Sequence, residues 1–297
     1  MGSNNKPTLP REGIVAVWKP RGISSHAVVD AVRRALGERK VGHAGTLDPL
    51  AEGVLVVGVG RQATRRLAEV VQKEKEYVAT VRLGIVSATD DAEGPLEPYP
   101  APFPPPSREE VRRALEKFCG VIAQVPPRWS AVKVRGREAY KRARAGECFS
   151  LPPRNVHIRK IALLGYRWPH VIFRAVTGPG VYIRSLARDL GRQLGTGGYL
   201  ERLVRTRVGQ YTARDAIPFA ALGFPSSQRA GCGKMEKMEQ EKYFRCPECG
   251  LFYAEERYAK QCEEWCRAHH SCNLAIIQHS VPAPGGDEDR NSESPGQ

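Results

Sequence analysis

The chain has 297 residues, of which 41% are hydrophobic, and its lysines and arginines outnumber its acidic residues by 46 to 32. No apolar run is long enough to span a membrane, and the N-terminus lacks the apolar stretch of a signal peptide. We therefore do not expect a membrane protein or a secreted protein, and we predict that the protein is cytoplasmic. The formal net charge of +14 favours a polyanionic partner, with nucleic acid first.

A flexible lead, residues 1–12, precedes a short apolar strand from Gly13 to Trp18 and a polar turn that contains Lys19. Ser25 is placed to cap the next helix, whose apolar residues recur at i, i+4 and i+8 and which ends at Gly37. Lys19 is either a structural or phosphate-contacting lysine near a site, or a solvated turn residue. The sequence leaves both interpretations open.

The stretch from Val41 to Arg65 is the most informative part of the chain. A glycine-rich loop runs into a valine-rich segment, Val54 to Val59, which indicates a buried strand. Pro49 favours an extended conformation at Asp48, so this carboxylate is expected on a loop braced by the core. Such a loop is both rigid and accessible, which suits chemistry. Taken alone, however, an Asp-Pro pair is also a common turn starter.

The middle of the chain predicts a helix from Arg61 to Glu74 and then an alternating strand, residues 75–84, that contains Tyr77. A proline-rich connection, residues 85–106, follows and contains the acidic turn Thr89-Asp90-Asp91. Without further information, Tyr77 is a core residue. A solvated loop is one of two interpretations of the acidic turn that the sequence leaves open.

Cations and aromatic residues alternate in residues 124–152, as suits a surface that holds an RNA stem-loop, although an ordinary basic helical face has the same composition. A capping box at Ser107 opens the helix before this segment. Two strands and a helix that stops at Gly195 follow it. Arg184 stands near the start of that helix.

The run Gly42-His43-Ala44-Gly45-Thr46-Leu47-Asp48-Pro49-Leu50-Ala51-Glu52-Gly53 resembles the signature of the TruB family of tRNA pseudouridine synthases. Further resemblances are the turn that follows Lys19, the strand with Tyr77, the segment Tyr182-Ile183-Arg184 and the stretch from Leu200 to Gly209. The acidic turn Thr89-Asp90-Asp91 also resembles one in this family, so the sequence leaves open whether it is a turn of this kind or a solvated loop. The resemblance covers about residues 13–224. It implies an α+β pseudouridine synthase fold, with a mixed and mainly antiparallel central sheet flanked by helices.

The resemblance also implies an activity, namely isomerisation of uridine 55 in the T-loop of tRNA by a monomeric enzyme that flips the base and uses no organic cofactor. Asp48 would be the catalytic residue, by attack at C1′ or by a glycal route. Tyr77 would meet the base, and Arg184 would pair with Asp48. An independent argument supports that pair, since a carboxylate removed from water needs a counter-charge, and arginine offers two aligned donors. The implied substrate contacts are His43, Lys19, Tyr182 and Leu203.

The last quarter of the chain contains six of the eight cysteines, which suggests a metal site in a reducing compartment. The pattern Cys246-x2-Cys249-x12-Cys262-x3-Cys266 has the spacing of a zinc finger with cysteines in the two histidine positions. We therefore predict a structural zinc ion in a small ββα domain. The fourth ligand stays open among Cys266, His269, His270 and Cys272.

This zinc-finger-like domain is predicted over residues 243–283, after a linker, residues 225–242, and before a disordered acidic tail, residues 284–297. It stands where many relatives continue into an RNA-binding PUA domain, for which we find no pattern here. Its expected role is structural or in contacts with protein or RNA.

Two alternative functions belong to other classes. A catalytically idle RNA-binding module would not need Asp48, Tyr77 and Arg184 together, because binding phosphates does not call for an aspartate. A zinc-finger protein that binds nucleic acid would have a basic helix, whereas this one carries four glutamates in or near it: Glu255, Glu256, Glu263 and Glu264.

Overall fold

The structure, a computed structural model, describes residues 9–100, 104–223, 244–248, 252–253, 255–269, 276 and 280–281. It divides into an N-terminal unit, Met1–Ala230, and a C-terminal unit, Gly231–Gln297. The predicted linker and acidic tail, and most of the predicted flexible lead, lie outside the described residues. None of the described helices is long and apolar enough to cross a membrane.

A mixed sheet forms the centre of the N-terminal unit. Its strands, numbered in chain order with two hairpins outside it, are β1 (Gly13–Lys19), β2 (Val41–Ala44), β3 (Glu52–Val59), β4 (Lys75–Leu83), β7 (Gly120–Gln124), β10 (Arg154–Arg167), β11 (His170–Thr177), β12 (Gly198–Val208), β13 (Tyr211–Thr212) and β14 (Ala216–Pro218). The hairpins are β5 (Ile85–Ser87) with β6 (Leu96–Pro98), and β8 (Lys133–Val134) with β9 (Arg137–Glu138).

The strand order is β14-β1-β3-β12-β4-β11-β10-β7, with β2 added to β3 and β13 added to β12. Among these neighbours, β1 with β14 and β3 with β12 are parallel, and the other pairs are antiparallel. The predicted fold class, a mixed and mainly antiparallel sheet with helices, is confirmed.

Helices form where the sequence predicts them. Those that pack on the sheet are α1 (Ser25–Leu36), α2 (Arg61–Val71), α3 (Arg108–Glu116) and α5 (Ile183–Gln193), followed by a 3₁₀ turn, Phe219–Leu222. The short helix α4 (Ala139–Arg144) contacts β9 of the second hairpin. The capping box of α3 and the left-handed glycine that ends α1 are both present. The helix α2 is three residues shorter than predicted, because the chain must turn into β4.

The prediction that Ser25 caps α1 is wrong, because the cap is its neighbour Ser24, whose Oγ accepts a hydrogen bond from the Ala27 N–H at 3.1 Å. Ser25 points inward and is buried. Its Oγ accepts from the Leu47 N–H at 2.8 Å and donates to the Leu47 carbonyl at 2.9 Å. The second serine of the turn therefore joins α1 to the loop that contains Asp48.

The C-terminal unit contains a small sheet of three short strands, in the order β15 (Phe244–Arg245), β16 (Phe252–Tyr253), β17 (Ser280–Val281), and one helix, α6 (Glu256–His269). A hairpin followed by a helix matches the predicted ββα arrangement, and the third strand β17 was not predicted. Tyr253 is fully buried among the cysteines and Ala259.

Candidate active site

The loop of Asp48, residues 45–51, joins the antiparallel strands β2 and β3. Every residue of β3 is buried, so the core anchors one end of the loop. Gly53 has a φ of +118° and lies opposite Arg205 in the parallel pairing of β3 with β12. A Cβ at this position would overlap the backbone of Arg205. Only glycine therefore lets the loop enter the sheet at this point.

Lys19 braces the same loop from the end of β1. Its side chain is fully buried, and Nζ donates to the carbonyls of Ile23 at 2.7 Å, Pro20 at 3.0 Å and Pro49 at 3.4 Å. Burial lowers the pKa of Lys19 to about 8, although Asp48 opposes this shift. The structure thus excludes the interpretation of Lys19 as a solvated turn residue.

Asp48 and Arg184, which are far apart in the sequence, meet at the centre of the site. Arg184 Nε lies 3.0 Å from Asp48 Oδ2. The Nε–H is not aligned for a hydrogen bond, so the contact is an ion pair. The Arg184 side chain is 7% exposed, whereas 39% of the Asp48 side chain is accessible to solvent. The arginine therefore forms the floor of the site, and the carboxylate lies above it within reach of a ligand.

A second carboxylate shares Arg184. Asp91 Oδ2 is 3.3 Å from Arg184 Nη1, and the Asp91 side chain is 2% exposed. The carbonyls of Trp129 and Thr89 accept further hydrogen bonds from the guanidinium at 3.1 and 3.3 Å. The interpretation of the acidic turn as a solvated loop is therefore wrong, because Asp91 is buried against Arg184.

Opposing charges set the pKa of Asp48. Burial raises this pKa above the ordinary value, and the negative charge of Asp91 raises it further. The positive charges of Arg184, Lys19 and Arg205 act in the opposite direction. The carboxylate is thus surrounded by protein on most sides and open on one, with cations that favour its ionised form.

Tyr77 and Arg205 form the other side of the site, and sequence reasoning missed Arg205. The Arg205 side chain is buried, with Nε donating to the Val54 carbonyl and Nη2 to the Gly45 carbonyl, both at 2.8 Å. The Arg205 side chain also lies beside that of Tyr77, because the two residues are directly paired on β12 and β4, and the two groups interact electrostatically. The sequence of β12 also contains Arg202 and Arg207, so it did not single out Arg205; only the structure shows that Arg205 is fully buried, where its charge requires partners.

The predicted substrate contacts occupy different positions around this centre. Leu203 is buried in the same apolar cluster as Tyr77. Tyr182 immediately precedes α5, and its N–H donates to Gln124 Oε1 at 2.9 Å. His43 is part-buried, and its Nε2 is 3.1 Å from Thr46 Oγ1. Burial lowers the pKa of His43, so that its ring is mainly neutral near pH 7.

In the basic segment, residues 124–152, some of the cations form ion pairs and cation–π contacts with other residues of the same segment. Arg142 and Arg137 each pair with Glu147 at 2.7 Å, and the guanidiniums of Arg142 and Arg128 lie over the ring of Phe149. These contacts hold the segment together. Other cations on it, Lys133, Arg135 and Arg144, are exposed.

Three cysteines form a separate cluster in the C-terminal unit. Cys246, Cys262 and Cys266 are buried, and their sulfur atoms all lie within 4.8 Å of one another. Three of the other predicted candidates, Cys249, His270 and Cys272, lie outside the described residues, as does the side chain of His269.

An aspartate on a braced loop, an arginine beneath it and a tyrosine beside it are the three residues expected of a pseudouridine synthase. Comparisons with known proteins agree with this class. Residues 33–183 match the N-terminal domain of the TruB family pseudouridylate synthases, and residues 184–223 match the C-terminal domain of tRNA pseudouridylate synthase B. The chain belongs to the TruB family of pseudouridine synthases.

Two bacterial relatives are each called tRNA pseudouridine synthase B. The one from Thermobifida fusca is 51% identical over 214 residues, which are 69% of this chain and 72% of the relative. The one from Leifsonia xyli is 47% identical over 216 residues, 71% of each protein.

A solved structure of a Cbf5-Nop10-Gar1 complex contains a chain with the same fold. It is 30% identical, with a TM-score of 0.51, and the match covers 69% of this chain but only 50% of that one.

Proposed function

We propose that this protein isomerises uridine to pseudouridine in tRNA, at uridine 55 of the T-loop, acting in the cytoplasm as a monomer on the T-arm. The observation that carries the proposal is the half-exposed carboxylate of Asp48 against the buried guanidinium of Arg184. A protein that only binds RNA gains nothing from an exposed carboxylate, because its negative charge repels the phosphates of the RNA. The target base must leave its stack to reach this residue.

In the proposed reaction, Asp48 acts before the uracil moves. As a nucleophile, its oxygen bonds to C1′ while the C1′–N1 bond breaks and its electron pair stays on the uracil. In the glycal route, Asp48 instead removes the C2′ proton as that bond breaks. The freed uracil then turns, and its C5 bonds to C1′. In the first route the Asp48–C1′ bond breaks as this bond forms, and in the glycal route the proton taken by Asp48 returns to C2′. Loss of the C5 proton and protonation of N1 complete an isomerisation that needs no oxidant or organic cofactor.

Arg184 supports the ionised form of Asp48, which both routes require. Its own position is held by Asp91 and by the carbonyls of Thr89 and Trp129. These contacts come from separate segments of the chain, so the guanidinium has little freedom to follow a moving substrate. The ion pair is thereby formed before RNA binds, which lowers the cost of reorganisation during the reaction.

Tyr77 stacks on the target base and takes part in removing the C5 proton. Arg205 positions it, because its guanidinium interacts with the paired Tyr77 on β4 and donates to the carbonyl of Gly45 at the start of the Asp48 loop. One buried side chain thus fixes the tyrosine relative to the loop. Leu203, from the same strand as Arg205, completes an apolar wall for the base.

Lys19 acts as a brace for the Asp48 loop, since its donors are used by backbone carbonyls. His43 and Tyr182 contact the RNA beside the flipped nucleotide. The exposed cations of the segment 124–152 hold the stem of the T-arm through its phosphates.

We also propose that the C-terminal cysteines hold a structural zinc ion that takes no part in the chemistry. A site closed by four protein ligands leaves no position for a substrate or a water molecule. The role of the C-terminal unit is structural or in contacts with a partner protein.

The test is pseudouridine mapping on an unmodified tRNA transcript with the wild-type chain and with Asp48→Asn. We expect one T-loop pseudouridine with the wild type and a rate at least about a thousandfold lower with the variant, as on removal of a nucleophile. Asp30→Asn is the matched control, because Asp30 lies exposed on α1 and pairs only locally with Arg33.

A folded wild-type chain that binds tRNA but forms no pseudouridine would contradict the proposal and favour the binding module. Full activity in Asp48→Asn would be consistent with the proposed reaction but would show that Asp48 is not its catalytic residue. Modification elsewhere in the tRNA would contradict the assignment to the T-loop.

A further inference from the structure

The core of the C-terminal unit is unusual because half of it is made of thiols. Six buried residues form this core among the described residues, and three of them are Cys246, Cys262 and Cys266. Tyr253, Ala259 and Ile276 are the other three. A unit of this small size can bury only a limited apolar surface to offset its conformational entropy. The cluster of thiols must therefore contribute more than ordinary packing.

The sulfur distances fit a shared metal ion. The Sγ atoms of Cys262 and Cys266 are 3.9 Å apart, well beyond the ~2.05 Å of a disulfide bond. In a tetrahedral site with zinc–sulfur bonds of about 2.3 Å, two sulfur atoms lie about 3.8 Å apart. All three sulfur atoms lie within 4.8 Å of one another, so small side-chain rotations bring the third to the same spacing.

The backbone explains why these thiols converge. Cys262 and Cys266 are one helical turn apart on α6, so both project from the same face. Cys246 directly follows β15, and β15 pairs with β16 in the hairpin that packs on that face. The cluster thus joins the hairpin to the helix, which are the two elements that a short chain has most difficulty holding together.

We propose that Cys246, Cys262 and Cys266 are three thiolate ligands of a closed zinc site, and that zinc binding folds the C-terminal unit. This inference deepens the structural zinc proposed above by naming the ligand set and its energetic role. The remaining ligand is predicted from the sequence to be Cys249, which lies outside the described residues, because two cysteines separated by two residues form the usual half of such a site. Zinc suits the set, since four thiolates favour a soft metal in tetrahedral geometry.

The folding energy follows from the chemistry of the ligands. Each thiol loses its proton when zinc binds, and the site does not exist in the unfolded chain. The binding free energy therefore becomes folding free energy for this unit. The surface of α6 adds little, because its ion pairs, such as Lys260 with Glu256, are exposed.

The experiment measures metal in the full-length chain, purified under reducing conditions and dialysed against metal-free buffer. Mass spectrometry of the digested sample should give one zinc per chain and negligible iron. Cobalt(II) exchanged into the protein should show the intense visible bands of a tetrahedral thiolate site. Cys246→Ser, Cys249→Ser, Cys262→Ser and Cys266→Ser should each lose most of the zinc.

Matched controls come from the N-terminal unit, where Cys119 and Cys148 are exposed. Cys119→Ser and Cys148→Ser should keep the full zinc content. Limited proteolysis should cut the C-terminal unit rapidly after chelation and slowly when zinc is restored, with the N-terminal unit intact in both cases. This second measurement remains informative if a ligand variant is degraded during expression.

Several results would overturn the inference. These are a wild-type chain without zinc, iron in its place, or zinc retained in Cys262→Ser. Zinc retained in Cys249→Ser but lost in Cys272→Ser would replace the proposed fourth ligand. If chelation of the zinc did not change the rate at which the C-terminal unit is cleaved, zinc binding would not be what folds this unit.

Pseudouridine formation, measured on the same samples, separates this inference from the proposed function. A zinc-free chain that is active contradicts only the metal site. A zinc-loaded chain that is inactive contradicts only the enzyme assignment.

Discussion

The two units of this protein stabilise themselves in opposite ways. The N-terminal unit packs apolar side chains on both faces of a large sheet, for example Phe173 and Leu55 on one face and Val56 and Val78 on the other. In the C-terminal unit, three of the six buried core residues among the described residues are cysteines. The first unit is stable enough to hold charged groups at its centre, whereas the second uses its buried polar atoms to hold itself together.

This difference explains where the chemistry lies. Buried charges cost free energy that only a large apolar core can offset. Arg184, Asp91 and Arg205 are all buried in or beside the N-terminal core. In the C-terminal unit, by contrast, the ion pair of Arg257 with Glu255 lies on the surface. The predictions below test whether catalysis and metal binding are as separate as this comparison implies.

The largest expected effect after loss of Asp48 itself is that of Arg184→Gln. The variant removes the counter-charge of Asp48 and leaves Asp91 buried without its partner. We expect turnover to fall by more than about a hundredfold, on the scale of a lost electrostatic stabiliser. The free energy of unfolding should fall by about 3 kcal/mol. Zinc content should not change.

Single-turnover kinetics and urea unfolding measure the two effects of Arg184→Gln. The control is Arg192→Gln on the same helix, because Arg192 is 68% exposed. A surface change of this kind is expected to alter stability by less than about 0.5 kcal/mol. Equal effects from both variants would mean that the ion pair with Asp48 is incidental.

A smaller effect is expected for Arg205→Lys. Lysine keeps the charge but cannot contact Tyr77, Val54 and Gly45 at once, so Tyr77 loses its fixed position. Displacement of a catalytic group by about 1 Å can cost about a hundredfold in rate. We expect kcat to fall by up to that factor with little change in KM for tRNA.

The role of Arg205 through Tyr77 is tested by a double-mutant cycle with Tyr77→Phe. On that background, Arg205→Lys should have much less additional effect on kcat than it has alone. Arg207→Lys, two residues along the same strand, is the control. Fully additive losses would show that Arg205 does not act through the tyrosine.

A smaller effect than those of the arginine variants is expected from Asp91→Asn, which should shift the acid limb of the pH–rate profile. Only the ionised form of Asp48 is active, and burial raises its pKa, so the rate falls as the pH drops through this raised value. Asp91→Asn removes a negative charge that raises the pKa further. The acid limb of this variant should therefore lie at lower pH than that of the wild type.

Single-turnover rates across the acid range give this limb, with Asp30→Asn as the control. Asp91→Asn also lowers the maximal rate, because Arg184 loses a support, but the direction of the shift is independent of that loss. A limb displaced to higher pH would contradict the electrostatic account of the site.

The smallest effect is expected from deletion of residues 231–297. If the C-terminal unit neither binds tRNA nor supports the site, kcat/KM should change by no more than about twofold, under about 0.5 kcal/mol. Filter binding with the T-arm stem-loop measures affinity directly. A collapse of tRNA affinity would show that this unit contacts RNA.

Much of the fold could be predicted from the sequence because local rules and burial agreed. The alternation of β4, the capping box at Ser107 and the glycine that ends α1 each fixed an element by short-range physics. The predicted cap at Ser25 failed for a local reason. Two adjacent serines can both cap, and only packing decides which one faces the Asp48 loop.

The sequence by itself determined the family, the loop of Asp48 and the pairing of this residue with Arg184, because these depend on residue identity at fixed spacing. Tertiary structure decided the rest of the site. Asp91 and Arg205 become part of it only where β12 meets β3 and β4 and where the connection after β5 folds onto α5. The convergence of the three thiols likewise needed the hairpin to pack on α6. Contacts between distant segments are set by the burial of the whole core, and no local pattern records them.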